Sequence, residues 1–222
     1  MKLSKSLAIL LISNMVPLAG VAWLGWSAAT ILLIYWAENA IIGIYNIAKM
    51  LRAGFTFKKH ESAVLKITGA IFMSLFFVVH YSMFMGGHLV FLIVLLKVDT
   101  DTVFDIFKSG NIEAIFFQTG MAALLALFAS HGYSFYYNFL KKKEYRNKTA
   151  EDFLGHPYPR MIIMHMAILA SAFFVIDNKD ESAQIPMLLI LIILKIAIDG
   201  ISHVREHKNK KNRKKQKKKH ER

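Results

Sequence analysis

Residues 6–51 read SLAILLISNMVPLAGVAWLGWSAATILLIYWAENAIIGIYNIAKML, an almost uninterrupted apolar block. A bilayer hydrocarbon core of ~30 Å takes about 20 helical residues, so this block is long enough for two crossings. Gly20 and Gly25-Trp26-Ser27 supply the break, which predicts spans near 6–24 and 28–50. Pro17 falls inside the first span and should kink it. Met1-Lys-Leu-Ser-Lys ahead of the block imitates a secretory signal, and Gly20-Val-Ala22 imitates its cleavage site. The apolar sequence nevertheless resumes at Trp23 and runs to Leu51, so the first span reads as uncleaved.

Working outward, residues 52–61 form a basic loop, and Ser62 has the character of an N-cap for the next helix. Residues 63–97 are long for one upright span and short for two. Gly86-Gly87 offers a break, which predicts a span near 66–87 followed by a short outer helix in the interface; a single long tilted helix is the alternative. Further spans are expected near 113–138, 160–176 and 185–204, with Pro186 in the first turn of the last, where its missing N–H costs little. Residues 141–158 form a charged connection, and Lys208 to Arg222 a low-complexity basic tail expected to be disordered.

Charge then orients the spans. Of 28 Lys and Arg residues, 24 lie in the N-terminus, residues 49–66, residues 141–160 and the tail from Arg205. Six crossings put those four regions on one side, and positively charged connections stay cytoplasmic. The intervening connections are acid-rich, with Asp99, Asp101, Asp105 and Glu113 in one and Asp177, Asp180 and Glu181 in the other. Asp99-Thr-Asp101 lacks the Gly and terminal Glu of a calcium loop and reads as solvated. The expected fold is therefore all-α: a polytopic integral membrane protein, a bundle of six transmembrane helices over residues 1–207, both termini cytoplasmic, in the cell membrane. The net charge of +13 would point to nucleic acid in a soluble chain. Here the tail has no interleaved aromatics for stacking, and anionic lipid headgroups are its expected partner, at ~1 kcal/mol per basic residue near the surface. Cysteine is absent, which removes disulfide and thiolate chemistry.

Ionisable groups inside such spans are costly, and they mark the candidate site. Span two carries Tyr35, Asn39 and Asn46 along one line, with Glu38 beside them and Gly43 permitting close helix contact. A mid-membrane carboxylate must be protonated, paired, or in contact with water or metal. Span three brings His80-Tyr81 and His88, and Tyr81 and His88, seven apart, share a face of an unbroken helix. His131, Ser134 and Asn138 make a stripe on span four; Pro157-Tyr158-Pro159-Arg160 opens span five, with His165 one turn further in; Lys195, Asp199 and His203 lie one turn apart on span six. The charge-derived topology puts His131, His165, Asp199 and His203 at similar depth, four N/O ligands of the number and type zinc accepts. Glu38 and His80, near mid-depth, are then candidates for moving protons. Against this stand ordinary roles: helix-to-helix hydrogen bonds for the Asn and His residues, an internal Lys195–Asp199 ion pair, and lipid phosphate for Arg160.

In combination these words resemble the family grouped as domain of unknown function 6498. They are Val16-Pro-Leu-Ala-Gly-Val21 with Gly25-Trp26-Ser27; Tyr35-Trp-Ala-Glu-Asn39 with Ile42-Gly43 and Asn46; His80-Tyr81 with His88; Ser130-His131 through Ser134-Phe135 to Asn138; Pro157-Tyr158 with Arg160 and His165; and Lys195, Asp199, His203 and Glu206-His207. The resemblance implies a prokaryotic multi-pass membrane protein of uncharacterised activity and supplies no substrate or cofactor. The residues themselves point to three functions: a membrane-embedded metal-dependent hydrolase with a divalent metal such as zinc, a transporter or channel with a polar pathway, and a non-catalytic assembly subunit.

Overall fold

The computed structural model describes Gly20, Trp23, Trp26, residues 28–56, 62–95, Asp101, Asp105, residues 108–110 and residues 120–177. Span six, the basic tail, Lys195, Asp199 and His203 lie outside the described residues, as does span one apart from Gly20 and Trp23. The chain divides into two compact units, and the described architecture belongs to the one formed by Trp26–Asp177. Among the described residues it is all-helical: α1 (Ala28–Gly54), α2 (Ala63–Leu95), α3 (Met121–Ser134), a short α4 (Glu151–Leu154) and α5 (Tyr158–Asp177). Two of these, α1 and α2, are long and apolar enough to cross a membrane.

Helices α1 and α2 run antiparallel, because contacts that rise in number on α1 fall on α2. Trp36 Nε1 donates to the Met85 carbonyl at 2.8 Å, the Tyr81 hydroxyl donates to the Asn39 carbonyl at 3.0 Å, and Gly54 lies against Ala70. Glycine makes the approach close enough: a Cβ on Gly54 would fall 2.0 Å from that of Ala70, and one on Gly43 would fall 2.7 Å from the Tyr81 ring. Ser62 caps α2 as its chemistry predicts, its hydroxyl accepting the Leu65 N–H at 3.5 Å.

The expected interruption of α2 does not occur. It is one helix of 33 residues that passes straight through Gly86-Gly87, the alternative left open by the sequence. The physical reason is a comparison of costs. A glycine in a helix interior loses about 1 kcal/mol relative to alanine, whereas a break leaves several backbone N–H and C=O groups without partners, each costing more where water is scarce.

Only one narrow stripe of α2 is buried: Ala70, Ser74, Phe77, Tyr81, Met85, His88 and Leu92, spaced three or four apart. Its outward side is apolar too, with Leu65 75%, Phe72 63%, Met83 70% and Val94 71% exposed. Helix α3 begins after Gly120, whose φ of 74° places it in the left-handed region, and a Cβ there would also meet Ile34 Cδ1 at 2.7 Å. Past Ser134 the helix widens into a π-helical stretch, Phe135–Lys141. A 3₁₀ turn (Glu144–Asn147) and α4 then fold Tyr145 and Phe153 onto buried Phe139, at ring separations of 5.7 and 5.5 Å. Fully buried Pro157 leads into α5, and Pro159 takes an early position of that helix, where no N–H is needed.

Candidate functional site

Several polar contacts between helices of this unit contain a histidine, and three of them are described in turn. The first joins α1 to α3. Glu38, buried at 7% exposure near the middle of α1, directs Oε1 to His131 Nε2 at 3.6 Å. His131 reaches it from beside Gly132, where close packing again needs glycine: a Cβ at Gly132 would fall 2.6 Å from the Tyr45 hydroxyl. That hydroxyl donates to the Phe128 carbonyl at 3.1 Å, and the Tyr45 ring lies between Phe128 and Phe135. Tyr45 thus fixes the turn of α3 that carries His131.

The second pair joins α2 to α5. His80 Nδ1 and the Tyr158 hydroxyl share a hydrogen bond of 2.6 Å. His80 is held flat by stacking on Phe76 and by the edge of Phe84, while the Tyr158 ring meets Phe77 and Tyr81 edge-on. Two turns further along the same helices lies the third pair. His88 Nε2 and His165 Nδ1 are 2.8 Å apart, so one ring donates its N–H to the lone pair of the other.

Asn39 connects the first two pairs. Its neighbour in sequence is Glu38, its carbonyl receives the Tyr81 hydroxyl, and Tyr81 stands edge-on to Tyr158 at 6.0 Å. The Asn39 amide donates to the Tyr35 carbonyl at 2.9 Å and meets Met164 Sδ on α5 at 3.4 Å. Its side-chain oxygen is buried and has no hydrogen-bond partner among the described residues. Asn46 has a different duty, donating to the Phe153 carbonyl at 3.0 Å and so fastening α4 to α1.

The residues singled out from the sequence fall into separate pairs. His131 stands with Glu38 and His165 with His88, and no group of three His, Asp or Glu side chains able to hold a metal occurs among the described residues. Asp199 and His203, the other two residues of the expected zinc set, lie outside them. His80 is held by Tyr158, a residue to which the sequence alone assigned no role. His88 was legible in part: its seven-residue spacing from Tyr81 put both on one face, and both are buried there. Of the expected His131–Ser134–Asn138 stripe, Ser134 and Asn138 are joined by a hydrogen bond. Asn138 donates to Ser134 at 3.2 Å and accepts from Lys142 at 2.6 Å, while His131 turns to Glu38.

These features define a class: an all-helical protein in which carboxylate, imidazole and phenol groups pair across buried helix contacts. The chain belongs to a family of unknown function, DUF6498, whose model matches residues 1–216. No curated protein and no solved structure matches it.

Proposed function

We propose that this chain is a six-span protein of the cell membrane, both termini cytoplasmic, that moves protons, alone or coupled to a solute, along a polar pathway between its helices. Membrane residence is supported by α2, whose exposed side is as apolar as its buried one. In water such a surface would be an aggregation site, whereas hydrocarbon solvates it. Six spans and their orientation rest on the hydropathy of the whole chain and on the alternation of its basic and acidic connections. The polybasic tail then lies at the cytoplasmic leaflet, against anionic headgroups.

The observation that carries the functional reading is Glu38 facing His131. A carboxylate in mid-span is costly unless it exchanges its charge with a partner, and an imidazole is the side chain best suited to take and return a proton near neutral pH. From Glu38 the string of polar groups continues through Asn39 and Tyr81 to Tyr158 and His80. The unpartnered Asn39 oxygen supplies an acceptor along it. The test is proton flux into vesicles of neutral and anionic phospholipid that contain the purified chain and a trapped pH-sensitive dye. A potassium diffusion potential supplies the driving force. Flux above that of protein-free vesicles, abolished in Glu38→Gln, is the expected result. Equal flux with and without protein would remove the reading.

A second reading has one observation in its favour. A carboxylate beside an imidazole is also the pair with which a metal-dependent hydrolase orients a ligand and transfers a proton. In that reading His131, His165, Asp199 and His203 hold zinc and Glu38 or His80 moves the proton. Zinc bound stoichiometrically to purified protein, and lost in Asp199→Ala, would rank it first.

A further inference from the structure

We propose that His88, His165 and Met83 form a binding site for a soft monovalent metal ion, copper(I), between α2 and α5. The site is a pocket of about 280 Å³ lined by Met83, Phe84, Gly87, His88, Phe91, His165 and Leu169. Its donor atoms are two imidazole nitrogens and one thioether sulfur; none of the lining side chains carries an oxygen. That composition selects the ion. Calcium and magnesium require oxygen ligands and are refused. Imidazole with thioether suits copper(I), which prefers soft donors and accepts few of them. Charge points the same way. All three ligands are neutral and the walls are apolar, so a single positive charge is far less costly to place there than the double charge of zinc.

Geometry supplies the second argument. His88 Nε2 and His165 Nδ1 already face each other at 2.8 Å from two different helices. A tautomer shift that moves the shared proton to the far nitrogen of its own ring leaves both rings neutral with two lone pairs converging on one point, and a small opening of the rings admits an ion. The His88 ring is buried and meets the His165 ring at 67°, which fixes the direction of its nitrogen. His165 and Met83 are exposed at the edge of the pocket, where Met83, long and unbranched, can swing its sulfur inward. Phe84 and Phe91 line the same pocket. None of these groups belongs to the Glu38–His131 pair, so the site stands or falls apart from the proton pathway.

The experiment uses the full chain, purified in detergent under anaerobic conditions and titrated with copper(I) against a chromophoric competitor. Zinc(II) titrated in parallel is the selectivity control. We expect one copper(I) per chain, a preference over zinc, and a loss in His165→Gln larger than the about 10–100-fold typical of outer-shell substitutions. Met83→Leu should weaken binding about tenfold, within that same range, and His131→Gln should leave it unchanged. Because His165 and Met83 are exposed, both variants keep the buried stripe of α2 intact. Thermal unfolding of each within a few degrees of wild type confirms it. Absence of copper(I) binding in the wild type overturns the proposal, and so does binding that survives His165→Gln or disappears in His131→Gln.

Discussion

A histidine inside a helical bundle is defined by what holds its two nitrogens. His80 shows this most clearly: its Nδ1 is tied to Tyr158 at 2.6 Å while its ring is held by Phe76 and Phe84. Removing the hydroxyl in Tyr158→Phe deprives a half-buried nitrogen of its partner, which should lower stability by about 1–3 kcal/mol. The same change at exposed Tyr133 should alter it by no more than about 0.5 kcal/mol. Unfolding of both variants in detergent measures the difference, and equal stabilities would show that the hydrogen bond carries no weight. The individual polar residues were legible in the sequence because charge and hydrogen-bonding groups stand out against an apolar background. Their partners were not. Tyr158 meets His80 only because of the offset between α2 and α5, and no spacing within a single segment specifies such an offset. Residues paired within one helix, such as Tyr81 and His88, were readable for the opposite reason: one helical period fixes them.

At the scale of elements, glycine does three different things in this chain. Gly120 supplies a left-handed turn, Gly43 and Gly54 allow helices to touch, and Gly86 does neither: a Cβ there would meet no atom within 4 Å. These differences predict opposite signs. Gly120→Ala should destabilise by about 1–3 kcal/mol, from the strained φ alone, with the clash against Ile34 in addition. Gly86→Ala should stabilise by up to about 1 kcal/mol through helix propensity. Unfolding midpoints of the two variants decide it, and a destabilised Gly86→Ala would mean that α2 does bend there in use. Helices α1 and α5 occupy stretches whose apolar composition alone marked them as helical, since length and apolarity are local properties. The break expected in α2 is absent because a glycine pair looks like punctuation only when the cost of exposed backbone is left out. The π-helical stretch was invisible; Phe139 within it packs against Tyr145 and Phe153, two contacts made by chain that comes later.

For the whole molecule, the functional reading depends on arrangement across a bilayer. The structure puts a cluster of cations over aromatic rings at one end of the unit: Arg52 lies 4.2 Å from the centre of Tyr145, Lys142 4.9 Å from Tyr137 and Lys148 5.9 Å from Phe153. These side chains come from two basic stretches, residues 49–66 and 141–160, which the fold joins where Arg52 meets Tyr145. Rings beneath cations are also the composition of a headgroup layer. Because the chain has no cysteine, single cysteines report sidedness without background. The direct measurement is labelling of intact cells by a membrane-impermeant maleimide, with Cys introduced in turn at Phe55, Lys143, Asn209 and Asp101. A six-span chain with both ends inside predicts labelling at Asp101→Cys from outside, with Phe55→Cys, Lys143→Cys and Asn209→Cys reacting only after the cells are opened. External labelling at any of those three, or protection at Asp101→Cys, would contradict it.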